Sequence, residues 1–140
     1  MVYVDTSVVV SLLTLEPSSE SVAAWFSGLA EMPVSSDWLL TEFSSAISIK
    51  LRTGQLSGVA ARAVHREFER LTSSGLRLAP VSRAAFKAAA DIARAHGQGL
   101  RSGDALHLAL ASRSALPLVS ADQRLVQAAG QLGIPARLVN

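Results

Sequence analysis

Four carboxylates in this chain stand where short apolar runs give way to polar or helical sequence. Asp5 follows Val2-Tyr3-Val4 and precedes Thr6-Ser7, and Glu42 lies one turn into a helix that follows a second short apolar segment. Asp104 opens the run Ala105-Leu106-His107-Leu108-Ala109-Leu110-Ala111, and Asp122 comes two residues after Leu118-Val119-Ser120. If the apolar runs are strands of an open α/β sheet, these junctions form its carboxyl edge, where such folds place their ligand sites. Four acids reaching one edge from four distant segments would make a pocket that needs a hard divalent cation. Oxygen-only donors suit Mg²⁺ or Mn²⁺, with water completing an octahedron. The candidate catalytic and metal-ligating residues are therefore Asp5, Glu42, Asp104 and Asp122.

Each acid also has a plainer role open to it. Asp5 could cap the helix that follows it, although Thr6 and Ser7 could cap equally well and leave its carboxylate free to face the cleft. Glu42 shares a mixed stripe with Trp38, Ser45 and Ile49, which reads as a partly buried face, and a partly buried Glu prefers a cation or a proton. Asp122 or Ser120 could cap the helix beyond them. Asp104 is the strongest case, because the helix after it is apolar almost all round and so buried on most faces. The helix dipole returns only ~0.3–1 kcal/mol to an acid in the first turn, while removing an unpaired carboxylate from water costs several. Gly103 gives the backbone room for close approach. His107, one turn on, reads as a packed or hydrogen-bonded histidine rather than a ligand.

The elements that must position these acids alternate between short β-type and helical runs, which argues for a mostly parallel sheet covered by helices. Strands are expected at Val2–Asp5, Pro33–Ser35, Leu76–Val81, Leu118–Ser120 and Ala136–Val139. Helices are expected over 7–15, 18–29, 37–52 with Asp37 as N-cap, 57–72, from Ser82 to near His96, from about Asp104, and 121–132. Leu39, Phe43, Ala46 and Ile47 form one apolar stripe, and Ser44, Ser45 and Ser48 are small enough to let another helix approach. Val64, Phe68 and Leu71 face inward opposite Arg62, Arg66 and Arg70. Gly97-Gln98-Gly99 precedes a helix and reads as a turn. With no repeat, linker or low-complexity tract, residues 1–140 make one α/β domain of about five strands.

Composition narrows the class further. Of 140 residues, 49% are hydrophobic and 17% charged, which excludes disorder. Cysteine is absent, so neither a disulfide framework nor a thiolate metal site exists. No zinc spacing is present, and neither GxxxxGK[ST] nor a GxGxxG after the first strand occurs. With no apolar stretch of the ~18 residues that a span requires and no basic leader, a soluble, cytoplasmic protein is expected. The net charge of +2 conceals an asymmetry. Residues 1–49 carry six acids and no Lys or Arg, while residues 50–102 carry ten bases against three acids. An acidic metal pocket beside a phosphate-binding surface fits that division. Lys50, Arg52 and the row Arg62, Arg66 and Arg70 are the candidates for gripping a nucleic-acid backbone, unless the row is only a solvated face.

The stretches VYVDTSVVVSLL, SDWLLTEFSSAI, GLRSGDALHLALA and LPLVSADQRLVQAA together resemble the PIN-domain ribonucleases, and within them the VapC-type toxins of toxin–antitoxin pairs. Their order and spacing span residues 2 to about 138, with residues 54–96 similar only in general character. The resemblance implies a five-stranded parallel sheet with helices on both faces, and an acidic pocket of Asp5, Glu42, Asp104 and Asp122 holding Mg²⁺ or Mn²⁺. It implies that Thr6 and Ser120 help arrange that pocket. It further implies endonucleolytic cutting of RNA, a homodimer, and silencing by a small VapB-type antitoxin whose tail enters the groove. On this reading a cation held chiefly by Asp5 and Asp104 activates water for phosphodiester hydrolysis, and no histidine is needed as general base. A phosphatase of the haloacid-dehalogenase type would need an Asp at the position of Ser7. A catalytically silent RNA- or protein-binding module would more naturally have lost one of the four acids.

Overall fold

The computed structural model of this protein describes residues 1–95 and 99–140. The helix end expected near His96 and most of the expected turn at Gly97-Gln98-Gly99 lie outside them. At the centre of the sheet is β1 (Tyr3–Val4), followed at once by α1 (Thr6–Leu13) and α2 (Ser19–Ser27). Next come β2 (Val34–Ser36), α3 (Trp38–Arg52), α4 (Gly58–Ser74) and β3 (Arg77–Ala79). The chain then forms α5 (Arg83–Ala95), α6 (Ser102–Arg113), β4 (Leu118–Ser120), α7 (Gln123–Gln131) and β5 (Ala136–Leu138). All strand pairs are parallel, in the order β3-β2-β1-β4-β5. The expected single α/β domain with a five-stranded parallel sheet is what forms.

Successive strand residues point to opposite faces, and here both faces are covered, as a parallel sheet requires. Tyr3, Val34 and Leu118 join one core with α5, α6 and α7, through residues such as Ala85, Ala89, Leu108 and Leu125. Val4 and Val119 join the other with α1 to α4, through Val8, Leu39, Phe43 and Phe68. The α6 helix is buried from Ala105 through Ala111, as its all-round apolar sequence implies. Among the described residues no helix is long and apolar enough to cross a membrane.

The strand order creates the crevice. From β1 the chain moves outward through β2 to β3, then crosses back to β4 on the other side of β1. The helix after β1 joins one layer and the helix after β4 joins the other. Beyond the carboxyl ends of β1 and β4 the layers therefore part, which is the topological switch point where open α/β sheets bind ligands.

Two local expectations need correction, and one alternative left open is decided. Asp37 makes no side-chain cap; with φ −58° and ψ −21° it is already helical, and its N–H is bonded to the carbonyl of Ala79. Strand β2 runs to Ser36, so no free residue remains to act as a β-region cap before α3. Ser44, Ser45 and Ser48 are exposed and, among the described residues, receive no helix, because α3 turns the opposite stripe of Leu39, Phe43 and Ile47 into the core. Asp5 itself caps α1, with consequences for the site.

Candidate active site

Each of the four acids reaches the crevice from a different helix. Asp5 is the N-cap of α1, Glu42 lies one turn into α3, Asp104 sits in the first turn of α6, and Asp122 is the N-cap of α7. The first two come from one helical layer and the last two from the other. They line one cleft of about 670 Å³, together with Thr6, Ser7 and His107. The structure thus brings together every carboxylate that the sequence singled out.

Asp5 is 3% exposed, and its carboxylate is not free. Oδ1 accepts from the Ser7 hydroxyl at 2.7 Å and from the Val8 N–H at 3.3 Å, while Oδ2 accepts from the Ser120 hydroxyl at 2.7 Å. Burial pushes its pKa above the usual carboxylate range, and the charge of His107 with these hydrogen bonds pulls the other way. Ser7 also joins the two sides of the crevice, meeting Ser120 Oγ at 3.1 Å and accepting from the Ala121 N–H at 2.9 Å. Ser120 Oγ in turn accepts from the Asp122 N–H at 2.9 Å. A hydroxyl network therefore fixes Asp5 relative to the start of α7.

Glu42 is held by a different set. Its Oε2 accepts from the Thr6 hydroxyl and lies 2.7 Å from His107 Nε2, which is also 3.2 Å from Thr6 Oγ1. On the other side of the ring, His107 Nδ1 meets the Tyr3 hydroxyl at 2.9 Å, and that hydroxyl donates to Ser36 Oγ at 3.1 Å. Burial alone would raise the Glu42 pKa, but the His107 hydrogen bond and charge, with Thr6 and Trp38, outweigh it and hold the carboxyl below its ordinary value. Gly103 permits this arrangement: a methyl group at its Cα would stand 2.3 Å from Glu42 Oε1 and 3.3 Å from Trp38 Nε1. His107 is a buried, hydrogen-bonded histidine, as expected. Its reach along the face of the sheet to Tyr3 and Ser36 was not foreseen. The Tyr3 hydroxyl is so buried that its pKa rises well above that of a free phenol. Replacing Tyr3 by Phe strands His107 Nδ1 and Ser36 Oγ in the core, and an unsatisfied buried polar group costs about 1–3 kcal/mol. Chemical denaturation is expected to read a loss of that order, and unchanged stability would mean that water restores the lost partners.

Asp104 and Asp122 face a harsher field. Burial raises the Asp104 pKa, and the Asp122 and Glu42 carboxylates raise it further, against the Arg101 backbone N–H and side-chain charge. Asp122 uses Oδ1 to cap α7, accepting from the N–H groups of Arg124 at 2.8 Å and Leu125 at 3.4 Å. Among the described residues no group of three or more Asp, Glu or His side chains stands ready at metal-ligand spacing. The donor chemistry nevertheless fits a hard cation: the cleft is walled by four carboxylates, and Asp104 is half-buried beside the like charges of Asp122 and Glu42. Asp104, Asp122 and Glu42 are the residues that would hold it, with Asp5 behind them at the floor.

The basic residues divide differently from expectation. Lys50 pairs with Glu16 at the rim of the cleft. Arg62, Arg66 and Arg70 are exposed on α4, with Arg70 paired to Glu67 at 2.7 Å. Neither they nor Arg52 lines the acidic cleft. Their spacing reported a solvated helix face, and no spacing could tell which way that face would look. The arginine that does reach the cleft is Arg101. Its position three residues before Asp104 was the available signal.

A family model for the PIN domain matches residues 2–131. Among solved structures, FitAcB from Neisseria gonorrhoeae is 22% identical, with TM-score 0.72, covering 97% of this chain and 96% of that one. The Mycobacterium tuberculosis toxin VapC20, which cleaves the sarcin–ricin loop, is 17% identical, with TM-score 0.74 and 96% of each chain covered. FitAB bound to an IR36 DNA fragment is 20% identical, with TM-score 0.70, covering 99% of this chain and 94% of that one. These likenesses establish a shared fold. Among curated proteins nothing matches the chain. The match over nearly the whole length, on the sheet order and crevice described above, makes this chain a member of the PIN domain family.

Proposed function

We propose that this protein is a Mg²⁺- or Mn²⁺-dependent endoribonuclease, the toxin of a toxin–antitoxin pair. The observation that carries the reading is the meeting of Asp5, Glu42, Asp104 and Asp122 in one cleft at the switch point, with the Asp104 pKa pushed up by burial and then by its acidic neighbours. Membership in the PIN family supports it, and so does the fold shared with VapC20, a toxin that cleaves the sarcin–ricin loop. A bound divalent cation supplies neutralisation of charge on the phosphate and a more acidic water. The chain's own residues do the rest. Asp104 and Asp122 offer ligand oxygens at the mouth, and Asp5, braced by Ser7 and Ser120, supplies a rigid anionic floor. Glu42 is aimed by His107 and Thr6. On this reading the partner is a small VapB-type antitoxin that covers the cleft, and the working form is a cytoplasmic homodimer.

Purified protein, free of any copurifying chain by mass spectrometry, is expected to cut internal bonds of single-stranded RNA in Mn²⁺. EDTA should stop the reaction and added Mn²⁺ restore it. Cutting that persists in EDTA would remove the metal, and RNA that is bound but never cut would identify a silent binding module.

A further inference from the structure

A second cleft adjoins the acidic one. It has a volume of about 660 Å³ and is lined by Arg101, Gln123, Arg124 and Gln127, among others. Arg101, Asp104 and Asp122 belong to both clefts and form their common wall. Arg101 lies just before α6, and Arg124 lies in the first turn of α7. Both side chains are exposed, and among the described residues neither is in an ion pair. Arg101 is close enough to Asp104 to lower its pKa by charge, yet it is not drawn into a salt bridge.

We infer that Arg101 and Arg124 form a phosphate-binding subsite that holds a backbone phosphate of single-stranded RNA next to the bond cut in the acidic cleft. A phosphodiester must lie against carboxylates to be cut there, and the like charges oppose its approach. Free guanidinium forks beside the acids offset that repulsion and fix register, since planar donors match phosphate oxygens in pairs. Contacts to the backbone position a nucleic acid without reading its sequence, and exposed Gln123 and Gln127 leave room for varied bases. The contrasting site is on α4, where Arg66 and Arg70 share a shallow depression with Glu69, and Arg70 is already paired. That depression shares no residue with the acidic cleft.

The inference rests on the ribonuclease reading for its substrate, so binding and cutting are measured separately. A labelled single-stranded RNA is titrated in EDTA over a range of salt concentrations with the wild-type chain, Arg101→Gln/Arg124→Gln and the control Arg62→Gln/Arg66→Gln. The first double variant is expected to bind roughly tenfold or more weakly, with a salt slope shallower by about 0.7, as for one lost single-strand phosphate contact. The control is expected to match wild type. Wild-type affinity and slope in the first variant, an equal loss in the control, or no binding by wild type would each overturn the subsite. In Mn²⁺ the same variant should raise KM far more than it lowers kcat. Arginine-dependent binding without any cutting would sink the ribonuclease reading alone, whereas cutting with unchanged KM would sink the subsite alone.

Discussion

Replacing Asp104 by Asn is expected to cut Mn²⁺-dependent RNA cleavage by on the order of 10²–10³-fold or more, the scale seen when one preorganised electrostatic group is lost. The fold should survive, because Asp104 lies at the mouth of the cleft and braces no other side chain among the described residues. In metal-free protein the variant should be at least as stable as wild type. The sign follows from the pKa. Folding raises the Asp104 pKa, so the ionised carboxylate costs stability above that raised value, and the cost fades as pH falls towards its ordinary value. The wild-type minus variant difference in melting temperature should therefore grow less negative on acidification. Added Mn²⁺ should raise the wild-type melting temperature, as any ligand of the native state does, and the variant's much less. Full activity in Asp104→Asn, or equal Mn²⁺ stabilisation of both proteins, would exclude Asp104 as a ligand.

Gly103→Ala should be almost as damaging to activity, although it touches no substrate. The added methyl would meet Glu42 Oε1 at 2.3 Å, and the carboxylate must swing away from His107 and Thr6 to admit it. A displacement of about 1 Å at a catalytic group can cost 10²-fold, and a loss of about that size is expected. Stability is a separate matter, since Ala favours a helix over Gly by up to ~1 kcal/mol and the clash is with the end of a side chain. A double-mutant cycle separates the causes. If the methyl acts by moving Glu42, then Gly103→Ala adds nothing to Glu42→Ala. Additive losses would place its effect elsewhere.

Much of this site was legible because its acids are tied to element boundaries. Val2-Tyr3-Val4 ahead of Asp5, and Leu118-Val119-Ser120 ahead of Asp122, marked strand ends, and in a parallel sheet all strand ends meet at one edge. Asp104 was legible from the cost of placing an acid at the head of an apolar helix. The misses, and the alternatives left open, depend on tertiary detail that periodicity does not carry. Whether Asp5, Thr6 or Ser7 caps α1 turns on the hydroxyl of Ser120, a residue 115 positions away. The aim of Glu42 depends on α6 packing over β1 so that His107 can reach both Tyr3 and Thr6. The arginines of α4 shared a face in the sequence, but that face turned away from the cleft. Asp37 failed as a cap because β2 and α3 meet without a spacer.

The double duty of Asp5 has a practical corollary for trapping this protein on its substrate. Every oxygen of that side chain is already engaged in holding the N-terminus of α1 and Ser120 in place, so an amide there would disturb the scaffold along with the reaction. If the proposed function holds, an inert but native decoy, suited to capturing an uncut RNA or to carrying a bound inhibitor chain, is better made at the cleft mouth than at its floor.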